Sequence, residues 1–206
     1  MIEKMRNMKL RSRMLLSYAV IIVICLIASI VALFMLNKIG DNLTSFYNNN
    51  YTVTVNVWQA KREMQAARAD ILNAILDTDA NKIEESIEEA KGSLKKMRGT
   101  FPVIRESFKG DLGLVDEVDS LLQQAIVYRD QVFERIEAGE HDEAYQIMKT
   151  YYIPLLDQMA NTLQDIADVA GENALHMVED GEHAQTSAMV TIILIIALSI
   201  LLAILF

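Results

Sequence analysis

A chain of 206 residues with 52% apolar side chains but only 8 Gly and 2 Pro has room for one ordinary domain plus membrane segments, and is too poor in turn formers for a β-rich fold. A formal charge of −9 argues against nucleic acid as a partner, and the single cysteine excludes an intramolecular disulfide and a haem-attachment or paired-cysteine zinc pattern. Met, Leu, Ala, Glu, Gln and Lys dominate what is left, so the predicted class is all-α.

Residues 1–13 carry Lys4, Arg6, Lys9, Arg11 and Arg13 against Glu3 alone, which assigns this segment to the cytoplasm. Residues 14–36, Met14 to Leu36, are uncharged and, at about 1.5 Å per residue, long enough to cross a hydrocarbon layer of about 30 Å. Helical sequence follows rather than a cleavage site, so the span is predicted to be a retained signal anchor. Within it Cys25 reads as a structural thiol facing lipid or a neighbouring helix, and Ala28 with Ala32 forms a small-xxx-small pair on which two copies could pack.

The segment 37–187 then holds 14 of the 19 basic and 27 of the 28 acidic residues, and reads as the extracytoplasmic part. A second uncharged span, residues 188–206 (Ala188 to Phe206), returns the chain to the cytoplasm. The expected topology is two-pass, in the cytoplasmic (inner) membrane. On economy alone, a receptor ending at the inner membrane face suggests a segment of a longer protein with a cytoplasmic output.

Four helical patterns lie between the spans. The first has a heptad seam through Leu43, Phe46, Asn50, Val53, Val57, Ala60, Met64, Ala67, Ile71, Ala74 and Thr78. Its membrane-proximal part is weakened by Asn48, Asn49, Asn50 and the β-branched run from Thr52 to Val55. Asp77 and Asp79 mark a turn, either able to cap the next helix. The second pattern uses Ile83, Ile87, Ala90, Leu94, Met97, Phe101, Ile104 and Phe108, with a kink expected near Arg98 to Thr100 from Pro102. Gly110, Asp111 and Gly113 form the next turn. The third uses Leu114, Val118, Leu121, Ala125, Tyr128, Val132 and Ile136 and stops before Gly139. The fourth opens near His141 and Asp142, bends at Pro154, and uses Ala144, Met148, Tyr151, Leu155, Gln158 or Met159, Leu163, Ile166, Ala170 and Ala174. Short turns make neighbours antiparallel, giving an up-down-up-down four-helix bundle flanked by two transmembrane helices.

This layout resembles the four-helix-bundle sensory region of methyl-accepting chemotaxis proteins. The segments that carry the resemblance are VNVWQAKREMQAARADILNAIL in the first bundle helix, the turn AGEHDEA, the proline in YYIPLLDQM, and the two spans. The resemblance implies a homodimer in which the fourth helix and second span pass a small displacement or rotation to a cytoplasmic output. Sensor histidine kinases and cyclic-dinucleotide enzymes carry similar bundles.

The resemblance further implies a small anion held by basic residues on the distal half of the first helix together with polar groups at the start of the fourth, often across the dimer interface. The matching positions are Lys61, Arg62 and Arg68, with Tyr145, Gln146, Thr150, Tyr151 and Tyr152. Arg68 is the preferred anchor, because a guanidinium grips a carboxylate through two parallel hydrogen bonds and Ala66, Ala67 and Ala69 leave room. The plain alternative is an exposed arginine paired with Asp70 or another surface acid. Tyr128 and Arg129 on the third helix are expected at a similar height.

His176 and His183 are seven residues apart, about 10 Å along a helix, too far to share a metal ion. His141 is expected in a solvent-exposed turn. Phosphate loops, nucleophile elbows and HExxH are missing from the sequence, so no enzymatic activity, cofactor or metal is expected. Glu84, Glu85, Glu88 and Glu89 read as the wet face of the second helix. Two functions follow. One is a receptor that binds a small carboxylate or amino acid outside the membrane; the other is an extracytoplasmic dimerisation or docking module of a sensor kinase or similar receptor, with no small ligand.

Overall fold

The computed structural model describes residues 10–205, so the basic residues Lys4, Arg6 and Lys9 and the terminal Phe206 lie outside the described residues. In chain order the elements are α1 (Leu10–Ser45), a π-helical turn (Phe46–Tyr51), α2 (Thr52–Leu76), α3 (Ala80–Ser107), α4 (Leu112–Glu137), α5 (His141–Ile147), a second π-helical turn (Met148–Tyr152) and α6 (Ile153–Leu205). There is no strand among the described residues. Packing divides the chain into residues 45–175 and a second unit comprising the residues up to 44 and from 176.

The unit 45–175 is the bundle. Val53, Val57, Ala60, Met64, Ala67, Ile71 and Ala74 are buried along α2, as the heptad predicts, whereas Thr78 is exposed in the turn that follows. On α3 the seam from Ile87 to Phe108 is buried. That helix runs to Ser107 without a break at Pro102. Beside it the buried Thr100 satisfies its own hydroxyl by donating to the Met97 carbonyl at 2.7 Å. Glu84, Glu85, Glu88 and Glu89 face solvent, and Val118, Leu121, Ala125, Val132 and Ile136 complete the apolar layer from α4.

The fourth helix departs from its predicted seam. Between Ala144 and Leu156 the buried positions are Ala144, Met148, Tyr152 and Leu156, while Tyr151 is exposed and Leu155 only half-buried. The steps are all four residues because the turn Met148–Tyr152 is π-helical. Pro154 has no N–H to offer the carbonyl four residues back, so the ladder widens just ahead of it. A regular α-helical period cannot anticipate the added residue. The other wide turn, Phe46–Tyr51, coincides with the Asn-rich stretch, and Thr52 donates its hydroxyl to the Tyr47 carbonyl five residues back at 2.8 Å.

Local chemistry closes each connection. Asp79 caps α3 by accepting from the Asn81 N–H at 3.0 Å, and Asp77 accepts from Thr78 and Asp79. These backbone donors hold the Asp77 carboxyl below its usual range. Asp111 caps α4 through the Gly113 N–H at 2.8 Å. Gly139 ends α4 at φ 76, the left-handed conformation suited to glycine. His141 is half-buried rather than solvent-exposed, because its Nδ1 bonds the Ile75 carbonyl at 2.9 Å and so satisfies a group left open at the end of α2.

The second unit contains α1 as far as Thr44 and α6 from His176. Among the described residues two helices are long and apolar enough to cross a membrane, with outward-facing Tyr18, Ile22, Leu26, Leu33 and Phe34 on one and Met189, Ile193, Leu194 and Leu198 on the other. Three of their polar side chains bond back to their own helix. Ser29 donates to the Cys25 carbonyl, Thr191 to Ser187 and Ser199 to Ile195. That is the arrangement a medium without water requires.

Candidate functional site

Antiparallel packing of α2 against α6 sets the height of the first group of candidates. Arg68 meets Asp157 at 3.4 Å, and Lys61 donates to Gln164 Oε1 at 2.7 Å while lying 5.2 Å from the centre of the Trp58 ring. Since Gln164 follows Thr150 by 14 residues, Lys61 sits about 21 Å along the axis from Thr150. Lys61 therefore does not converge with Tyr145, Gln146 and Thr150, all of which face solvent. Arg62 is exposed and spends its charge on the neighbouring Glu63, at 2.6 Å. Glu63 is itself buried, which the apolar seam through Met64 conceals in the sequence. Arg68 thus lies in an open ion pair, its side chain 30% and that of Asp157 59% exposed, and lines none of the described cavities.

The remaining candidates do come together, where α4 meets the second π-helical turn. The rings of Tyr128 and Tyr151 stack with centroids 4.9 Å apart and planes at 7°. Arg129 beside them has a side chain only 18% exposed and donates through Nε to Asp130 at 2.8 Å. Tyr152 is fully buried among α3, α4 and α6. Desolvation pushes its hydroxyl up to about 12, opposed by the positive charges of Arg129 and Arg98. Tyr152 therefore stays a neutral donor at physiological pH.

Arg98 is the residue that sequence reasoning passed over. It follows Met97 on the α3 seam and faces outward, so its period gives it a solvent position; only packing brings it over Tyr152. It lines a small interior void with Arg129, Tyr152 and Met159, and also a groove of about 510 Å³ between α3 and α4. The groove has apolar walls from Phe101, Pro102, Leu122 and Ile126, with Arg105 held at one end by Asp116 and Asp119. Chemically this arrangement offers positive charge, an apolar bed and a buried hydroxyl. Among the described residues no group of His, Cys, Asp and Glu has the geometry to hold a metal, and His176 faces only Glu179, at 3.4 Å.

Antiparallel helices form one apolar core, and both end helices of the bundle run into stretches long and apolar enough to cross a membrane. The chain belongs to the family of the four-helix bundle sensory module for signal transduction, whose family model matches residues 7–184. This is a sensory region of the chemotaxis-receptor kind. No curated protein and no solved structure matches the chain.

Proposed function

We propose that the chain is the sensory part of a two-pass chemoreceptor of the inner membrane, which binds a small organic acid or amino acid outside the cell membrane as a homodimer and signals inward through its last helix. The observation that carries this reading is α6, helical without interruption from Ile153, in the bundle, to Leu205, in the second apolar stretch. A helix that continues from one segment into the other can conduct small axial or rotational shifts. A ligand that prefers one helix arrangement by 100-fold supplies about 2.7 kcal/mol, enough to reverse a modest two-state bias. No covalent chemistry is required.

The test is a thermal-shift screen of the detergent-solubilised chain against small carboxylates, amino acids and aromatic acids. A melting temperature that rises with ligand concentration supports direct sensing. One observation favours a second reading, a dimerisation or docking module without a small ligand: Arg68 is half-buried in an open pair with Asp157 and lines none of the described cavities. A screen without a hit would favour that reading.

A further inference from the structure

We propose that the groove between α3 and α4 is the stimulus site, taking a small monocarboxylic acid with an apolar body whose carboxylate is held by Arg98 and linked to α6 through the buried hydroxyl of Tyr152. The inference rests on the small-molecule reading given above and moves the site away from the α2–α6 face. Its first support is size and lining. At about 510 Å³ the groove lies within the range of small-molecule sites, and Phe101, Pro102, Leu122 and Ile126 give it an apolar bed.

Charge supplies the second support. Of the two arginines in the groove, Arg105 is neutralised by Asp116 at 2.6 Å and Asp119 at 2.8 Å. Arg98 has no carboxylate partner among the described residues, so the groove presents one uncompensated guanidinium beside an apolar surface. An acid with a single carboxylate and a hydrophobic remainder complements both features.

The third support is Tyr152. It is 1% exposed, and its hydroxyl makes no hydrogen bond among the described residues. A buried hydroxyl left this way is costly, and a group that satisfies it is correspondingly favoured. Arg98, Leu122 and Ile126 line both the groove and the void that Tyr152 borders. The void, at about 10 Å³, has room for one water molecule at most. A carboxylate on Arg98 can therefore reach the hydroxyl through a single bridging water.

The geometry also supplies the link to signalling. Tyr152 is the last residue of the π-helical turn that precedes α6. A ligand tied to Tyr152 therefore bears directly on the start of α6.

Calorimetric titration of the detergent-solubilised chain tests this, with benzoate as the probe, benzamide as its uncharged counterpart, and succinate and L-glutamate as other anions. We expect benzoate to bind and benzamide to fail. Arg98→Gln should weaken benzoate at least about tenfold, Arg98→Lys less, and Tyr152→Phe about threefold, while Arg68→Gln leaves the affinity unchanged. Circular dichroism of each variant confirms that the helices persist. Benzoate affinity that survives Arg98→Gln, or benzamide binding as well as benzoate, overturns the site. Binding of succinate or L-glutamate without benzoate also overturns it yet leaves small-molecule sensing standing. Binding of none of the three anions removes both.

Discussion

Tyr152 shows how the bundle interior acts on a single hydroxyl. With its folded value pushed up to about 12 from 10.0, the unfolded chain releases this proton first, so between those two values the unfolded state binds fewer protons than the folded one. Stability contributed by the neutral form is complete below pH 10 and declines as pH rises towards 12, by on the order of 2–3 kcal/mol. Urea unfolding of wild type and Tyr152→Phe at pH 9 and pH 11 should show a steeper loss in wild type; parallel losses would refute the assignment. Arg68 makes a contrasting case. Its pair with Asp157 is open to water and screened, so Arg68→Ala should cost no more than about 1 kcal/mol, and a loss above about 2 kcal/mol in the same assay would reveal a coupling the geometry does not account for.

Among the elements, the wide turn ahead of Pro154 decides which face of the fourth helix enters the core. If the register is as described, Tyr152→Ala empties a fully buried site and costs about 3–5 kcal/mol, whereas Tyr151→Ala removes only a stacking partner of Tyr128 and costs about 1 kcal/mol. Equal costs would mean that the helix keeps its α-helical period. The connection between α3 and α4 is equally demanding. A Cβ on Gly110 would collide with the Phe108 ring and come within 2.8 Å of Val169 Cγ1, both packed in the bundle. Gly110→Ala should therefore lower the melting temperature more than Gly99→Ala, where nothing lies within 4 Å of the added carbon. Thermal melts of the two variants compare them directly.

For the whole molecule, Cys25 provides a native probe of the membrane reading. It lies in α1 within an apolar surface and is exposed on the isolated chain. In intact membranes a charged maleimide should leave it unlabelled, and dissolution in denaturing detergent should make it reactive. Labelling before detergent would place α1 in water and remove the basis for a two-pass receptor.

Much of this protein is legible in the residues alone. Uncharged runs of sufficient length declare the two apolar helices, because burial in hydrocarbon depends on composition over a window and not on any partner. The seam Val53 to Ala74, the seam Ile87 to Phe108, the capping Asp79, the turn at Asp111, and the glycine at φ 76 are all local, set by helical period or by the next few backbone groups. What lies further apart in sequence needed the tertiary structure. The π-helical turn displaced Tyr151 by Tyr152 in the core, His141 found the Ile75 carbonyl, and Arg68 spent its charge on Asp157. Arg98 and Tyr152, 54 residues apart, become neighbours only when α3 and α6 pack on the same core. A period states which face of a helix is apolar; the height at which two helices meet, and so which charges and hydroxyls face one another, is settled by packing alone.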